Sequence, residues 1–152
     1  MVKGFFPLSI GLCAAAICAG AAAQESKRTP APAGAHVYFH YPLNGSTVLS
    51  RFKVRIGLRS MGVAPAGTQK AGTGHHHLLV DTELKSFDVP IPNDARHLHL
   101  GNGQTEIEVA LPPGRHRLQL VVGDHDHVVH RPPVMSAPIT ITVRDQDTAG
   151  LQ

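Results

Sequence analysis

Residues 71–81 read AGTGHHHLLVD, three consecutive imidazoles between two glycines and an apolar run that ends in aspartate. On a β-strand, residues i and i+2 share a face roughly 6.6 Å apart, from a rise of about 3.3 Å per residue. Two imidazoles so spaced can converge on one transition-metal ion through bonds of about 2 Å. The pattern occurs at His75/His77, His97/His99 and His125/His127, and His130 follows three residues after the last. With no thiol and no strong carboxylate cluster beside them, such imidazoles suit copper, zinc or nickel, whereas calcium and magnesium prefer oxygen. Met61 and Met135 fall in predicted loops, and a thioether near imidazoles favours copper, Cu(I) especially.

A different chemistry is open to the same residues. A histidine at the edge of a core can hydrogen-bond loop carbonyls and hold no ion at all. Asp81, Asp124 and Asp126 can orient ring N–H groups or simply make turns. His116 shares a strand face with Leu118 and Leu120, which predicts a packed, hydrogen-bonded imidazole. His36 and His40 oppose Val37 and Phe39 and read as surface. Signatures of serine hydrolases, zinc proteases and P-loop enzymes are missing, so no catalytic residue is nominated.

The elements that must position these groups are strands. RFKVRIGL (51–58) alternates Phe52, Val54, Ile56 and Leu58 with basic residues, and PITITVR (138–144) alternates Ile139, Ile141 and Val143 with threonines. HVYFHY (36–41) puts Val37, Phe39 and Tyr41 on one face, and RHRLQLVV (115–122) does the same for Leu118 and Leu120. Six or seven short strands between Gly- and Pro-rich turns predict an all-β fold, an immunoglobulin-like antiparallel β-sandwich. Phe39, Phe52, Val54, Ile56, Leu118, Leu120, Ile139 and Ile141 are its predicted core.

The chain begins MVKGFFPLSIGLCAAAICAGAAAQ, with a basic residue, an apolar stretch and a small-residue cleavage site, which reads as a secretory signal peptide over 1–23. Residues 24–35 are polar and rich in Pro and Ala and predict a flexible tether; 36–145 form one His-rich domain and 146–152 a tail. Both cysteines, Cys13 and Cys18, leave with the signal, so core packing or a metal must hold the mature domain. The net charge of +3 gives no case for a nucleic-acid partner, and no membrane insertion is expected once the signal is cleaved.

GVAPAGTQKAGTGHHHLLVDT, PIPNDARHLHLGNGQTE, LPPGRHRLQLVVGDHDHVVH and PPVMSAPITITV, in that order, resemble an uncharacterised family of small exported bacterial domains, a domain of unknown function. The likeness runs from about Val37 to Val143. It implies that His75, His76, His77, His97, His99, His116, His127 and His130 belong to the family pattern, with Met61, Asp81, Asp124 and Met135. His36, His40 and His125 fall at variable positions, which favours His127/His130 over His125/His127. More loosely, the chain resembles exported copper-carrying sandwich domains.

Together these readings predict a periplasmic or secreted domain that binds copper, with zinc as the alternative, for storage, delivery or tolerance. The expected ligands come from His75, His77, His97, His99, His127 and His130, whose loops should meet at one end of the sandwich. Two rivals stand beside it. One is a non-enzymatic envelope module, its histidines a hydrogen-bonded loop network and its partner another envelope protein. The other is a copper redox enzyme carried on a sandwich.

Overall fold

Alternation of apolar and charged residues decides the first sheet. The computed structural model describes residues 28–145, so the predicted signal peptide, the first residues of the tether and the C-terminal tail lie outside the described residues. Among the described residues nine strands run in order: β1 (His36–Tyr41), β2 (Thr47–Leu49), β3 (Arg51–Arg59), β4 (Gly62–Val63), β5 (Thr73–Val80), β6 (His97–Leu100), β7 (Glu106–Ala110), β8 (Gly114–Gly123) and β9 (Ile139–Arg144). Strands β1, β3 and β7 form a three-stranded sheet in that order. Phe52, Val54 and Ile56 point inward from β3, while Arg51 and Lys53 reach Glu108 and Glu106 on the outer face.

The second sheet has six strands, ordered β2-β9-β8-β5-β4, with β6 also paired to β5. Pairing is mostly antiparallel; β2–β9 and β4–β5 are parallel. The two sheets enclose Val37, Phe52, Val54, Ile56, Leu78, Leu118, Leu120, Val122, Ile139 and Ile141 as one core. The result is an immunoglobulin-like β-sandwich. Two of the nine strands, β2 and β4, are only three and two residues long. They are too short for a periodic signal.

Two expectations need correcting, and one feature was not foreseen. Tyr41 does not follow Val37 and Phe39 inward: the register slips between Phe39 and Tyr41, and Tyr41 is exposed. A bulge reverses which face the next residue takes. The tether does not run free through its described part. Arg131 N–H donates to the Thr29 carbonyl and Ala31 N–H to the Arg131 carbonyl, a parallel bridge centred on Pro30. Finally, β5 is buried on both faces. Its outer face lies beneath the segments 82–96 and 124–136, where Leu79, Ile91, Val121 and Val129 form a second apolar cluster with Leu84, Phe87 and Met135 packed on it.

Candidate metal centre

Strand alternation sorts the His75–His77 triplet. Leu78 belongs to the main core and Leu79 to the outer cluster, so His76 faces inward and His75 and His77 outward. The antiparallel register sets His77 directly opposite His99 on β6, where cross-strand Cβ atoms lie about 4.5–5.5 Å apart. On the other side His75 pairs with Gly123 at the end of β8. The chain then turns back across the same face. Asp124 makes that turn: its Oδ1 accepts the N–H groups of Asp126 and Val128, each at 2.9 Å, and its carbonyl accepts His127 N–H at 3.0 Å. His127 takes a left-handed backbone, φ 66°, which swings its ring over the sheet.

Four imidazoles meet there. Ring centroids are 4.8 Å apart for His75–His77, 4.9 Å for His75–His99 and for His75–His127, and 4.8 Å for His99–His127. His77 lies 5.0 Å from His99 and 6.0 Å from His127. Six such similar separations describe a tetrahedron of rings. One ligand nitrogen each from His75, His77 and His99 falls within 4.8 Å of the others.

Glycine makes room for two of these rings. A Cβ on Gly101 would sit 2.2 Å from Cε1 of His99, and one on Gly123 would sit 2.9 Å from Nε2 of His77. Both distances are shorter than real contacts allow.

Polar satisfaction in the cluster is incomplete. Nε2 of His75 and Nε2 of His77 lie 3.0 Å apart, and only one of them can carry the shared proton. Nδ1 of His75, Nδ1 of His77 and Nε2 of His99 are buried with no partner among the described residues. Leaving a buried polar group unpaired costs about 1–3 kcal/mol. Three of the rings, His75, His77 and His99, are also held neutral. Burial, then the neighbouring imidazoles His99 and His127, lower the His75 pKa to about 4, though Asp124 pulls it the other way. Burial and the three other rings lower His77 to about 2, and burial with His127 lowers His99. Neutral imidazoles are the form that ligates metal.

The remaining predicted ligands sit elsewhere. His97 shares the outer face but pairs with Leu79, two residues further along, and its Nδ1 lies 2.9 Å from Asp94. His130 packs against Gly74 on the core side of β5, with Nδ1 3.3 Å from the Val122 carbonyl and Nε2 without a partner among the described residues. His76 directs Nδ1 to the Gln104 carbonyl. His116 bridges Asp81 and the Pro112 carbonyl, at 2.7 and 2.9 Å. Met61 packs on the main core and Met135 on the outer cluster. The cluster forms on a sheet face, not at one end of the sandwich, because its first two members lie inside an eight-residue strand.

Sequence reasoning passed over Gly101 and Gly123. A signal was there for the first: in HLHLG the glycine stands at i+2 from His99, beneath a ring on its own face.

A family model described as a domain of unknown function, DUF4399, matches residues 54–144, a span that contains all four clustered histidines. No curated protein sequence matches the chain. Among solved structures, the chain is similar to the endo-beta-1,4-mannanase from Thermotoga petrophila at 16% identity and a TM-score of 0.42, covering 74% of this chain. It spans only 20% of that enzyme's length. It is also similar to the fibronectin(III)-like modules of Clostridium thermocellum CbhA, at 16% identity and a TM-score of 0.39, covering 72% of this chain and 96% of the module.

Proposed function

The chain belongs to the DUF4399 family, a domain of unknown function, and we propose from its site that it binds one transition-metal ion through His75, His77, His99 and His127. One observation carries the reading: four imidazole rings form a tetrahedral group in which Nε2 of His75 and Nε2 of His77 face each other at 3.0 Å and one ligand nitrogen each from His75, His77 and His99 lies within 4.8 Å of the others. An ion between those two nitrogens would replace their single shared proton with a bond to each ring. Two nitrogens each about 2 Å from a tetrahedral ion stand roughly 3.3 Å apart, close to the 3.0 Å between Nε2 of His75 and Nε2 of His77. The field of Asp124 at His75 offsets part of the ion's charge.

Ligand chemistry favours Zn(II) or Cu(I), which accept a tetrahedral shell, over Cu(II), which prefers a square plane. The thioether argument for copper weakens, since Met61 and Met135 pack in apolar clusters. Zinc therefore moves level with copper. Four imidazoles leave no coordination position for a substrate, so storage or tolerance fits better than redox catalysis. The hydrogen-bonded network accounts for His97 and His116, whose Nδ1 atoms each meet an aspartate. It pairs His75 with His77 through one shared proton but leaves Nε2 of His99 with no partner among the described residues.

The test is titration of tag-free, chelator-treated protein with Zn(II), Cu(I) and Cu(II), followed by calorimetry and melting. The expected result is one ion per chain, with folding stability raised by about 2.7 kcal/mol at a hundredfold excess over Kd. Unchanged melting and no heat with all three ions would leave the hydrogen-bonded network as the better reading.

A further inference from the structure

The turn that carries His127 is fastened to the start of the described chain. Thr29 Oγ1 donates to Oδ2 of Asp124 at 2.6 Å, the same carboxylate whose other oxygen caps the turn through Asp126 and Val128. Arg28 donates Nε–H to the Val129 carbonyl at 2.8 Å and a second N–H to the His130 carbonyl. Its guanidinium also lies 5.4 Å from the Phe87 ring and 4.0 Å from Asp88. The parallel bridge at Pro30 continues the attachment to Arg131. Phe87 and Asp88 belong to the segment that covers the outer face, and Ile91 N–H of that segment donates to the His127 carbonyl at 2.8 Å.

We propose that residues 28–31 form a strap that sets how tightly the ion is held, with Thr29 and Arg28 as positioning residues acting through Asp124 and the His127 turn. The inference rests on the metal-binding reading above. His75, His77 and His99 are fixed by sheet pairing on two neighbouring strands. His127 has no strand under it and depends on these hydrogen bonds. It is the ligand that can leave first, and the strap governs its leaving. Charge-assisted hydrogen bonds such as Thr29–Asp124 are the strong kind, so losing one should be visible in the ion's dissociation rate.

The experiment compares wild type, Thr29→Val and Thr29→Ser, each tag-free and loaded with Zn(II), and follows ion release into excess chelator. Valine keeps the shape and deletes the donor; serine keeps the donor. Release from Thr29→Val should be faster by roughly tenfold or more, while Thr29→Ser stays within about threefold of wild type. Equal release rates for wild type and Thr29→Val, with Thr29→Val merely melting lower, would overturn the strap and leave the metal site standing. A wild type that takes up no ion would sink both. A second measurement needs no variant: amide hydrogen exchange of wild type with and without Zn(II). Loading should protect the amides of Ala31 and Arg131 together with those of Val128 and Val129. Protection confined to β5 and β6 would again overturn the strap.

Discussion

Two histidine sites in this domain use the same side chain to opposite ends. In the four-ring cluster the imidazoles are crowded, His75 and His77 are buried and short of partners, and burial with mutual repulsion keeps those two neutral. At His116 burial also pulls the pKa down, but the bonds to Asp81 and the Pro112 carbonyl outweigh it and raise the value. One ring there faces acceptors on both nitrogens and is stable as a cation. Surroundings, not residue type, decide whether a histidine offers a lone pair or a charge. The first arrangement suits a metal ligand. The second suits a structural clip.

The sharpest way to break this contrast is to delete ligands. His75→Ala combined with His77→Ala should weaken Zn(II) binding more than about a hundredfold, since losing even an outer hydrogen-bond partner of a ligand costs roughly 10–100-fold. His116→Ala should leave the affinity within about threefold of wild type. Calorimetry on the two variants decides it, and comparable losses would dissolve the distinction between the sites.

Gly101→Ala tests the cluster without touching a ligand. Its Cβ would displace the His99 ring, so affinity should fall on the order of tenfold, with a stability loss of about 1–3 kcal/mol from overpacking. An unaffected affinity would mean that His99 does not bind the ion.

Acid separates the two sites in the metal-free protein. Folded His75, His77 and His99 have pKa values below the unfolded 6.5, so the unfolded chain takes up protons that the folded chain refuses. Stability conferred by their neutrality is present above pH 6.5 and lost as pH falls toward 4. His116 runs the other way: its contribution is complete below 6.5 and fades as pH rises through its raised folded value. Denaturant midpoints from pH 4 to 9 on wild type and His75→Ala plus His77→Ala should show a shallower acid limb in the variant. A steeper limb would contradict the assignment of charge states.

The smallest effect belongs to Asp81→Asn, which keeps the left-handed φ of 51° but loses the charge facing His116. Asp81 is part-exposed, so the cost should be only about 1 kcal/mol at pH 6 and less at pH 9. The same loss at both pH values would mean that His116 is not the charged partner.

Period-two alternation made most of the sandwich legible, because Phe52, Val54, Ile56, Leu118, Leu120 and Ile141 each repeat on one face. It gave no reading for β4, whose two residues hold their place through parallel pairing to Thr73 and Gly74. At the site, i+2 spacing correctly put His75 and His77 on one face. It could not say that His97 and His99, equally spaced, part company. Cross-strand register does that, and register is a long-range property. The strap was invisible for a similar reason: a Pro- and Ala-rich composition looks unstructured until Asp124, 95 residues away, accepts from Thr29.

X-ray absorption at the zinc edge of the loaded, tag-free protein tests the central claim most directly. A closed site of four imidazoles predicts a single shell of four nitrogens at about 2.0–2.1 Å with the outer-shell scattering of histidine rings. A sulfur neighbour near 2.3 Å, a shell completed by carboxylate or water oxygen, or protein that holds no zinc to measure would contradict it.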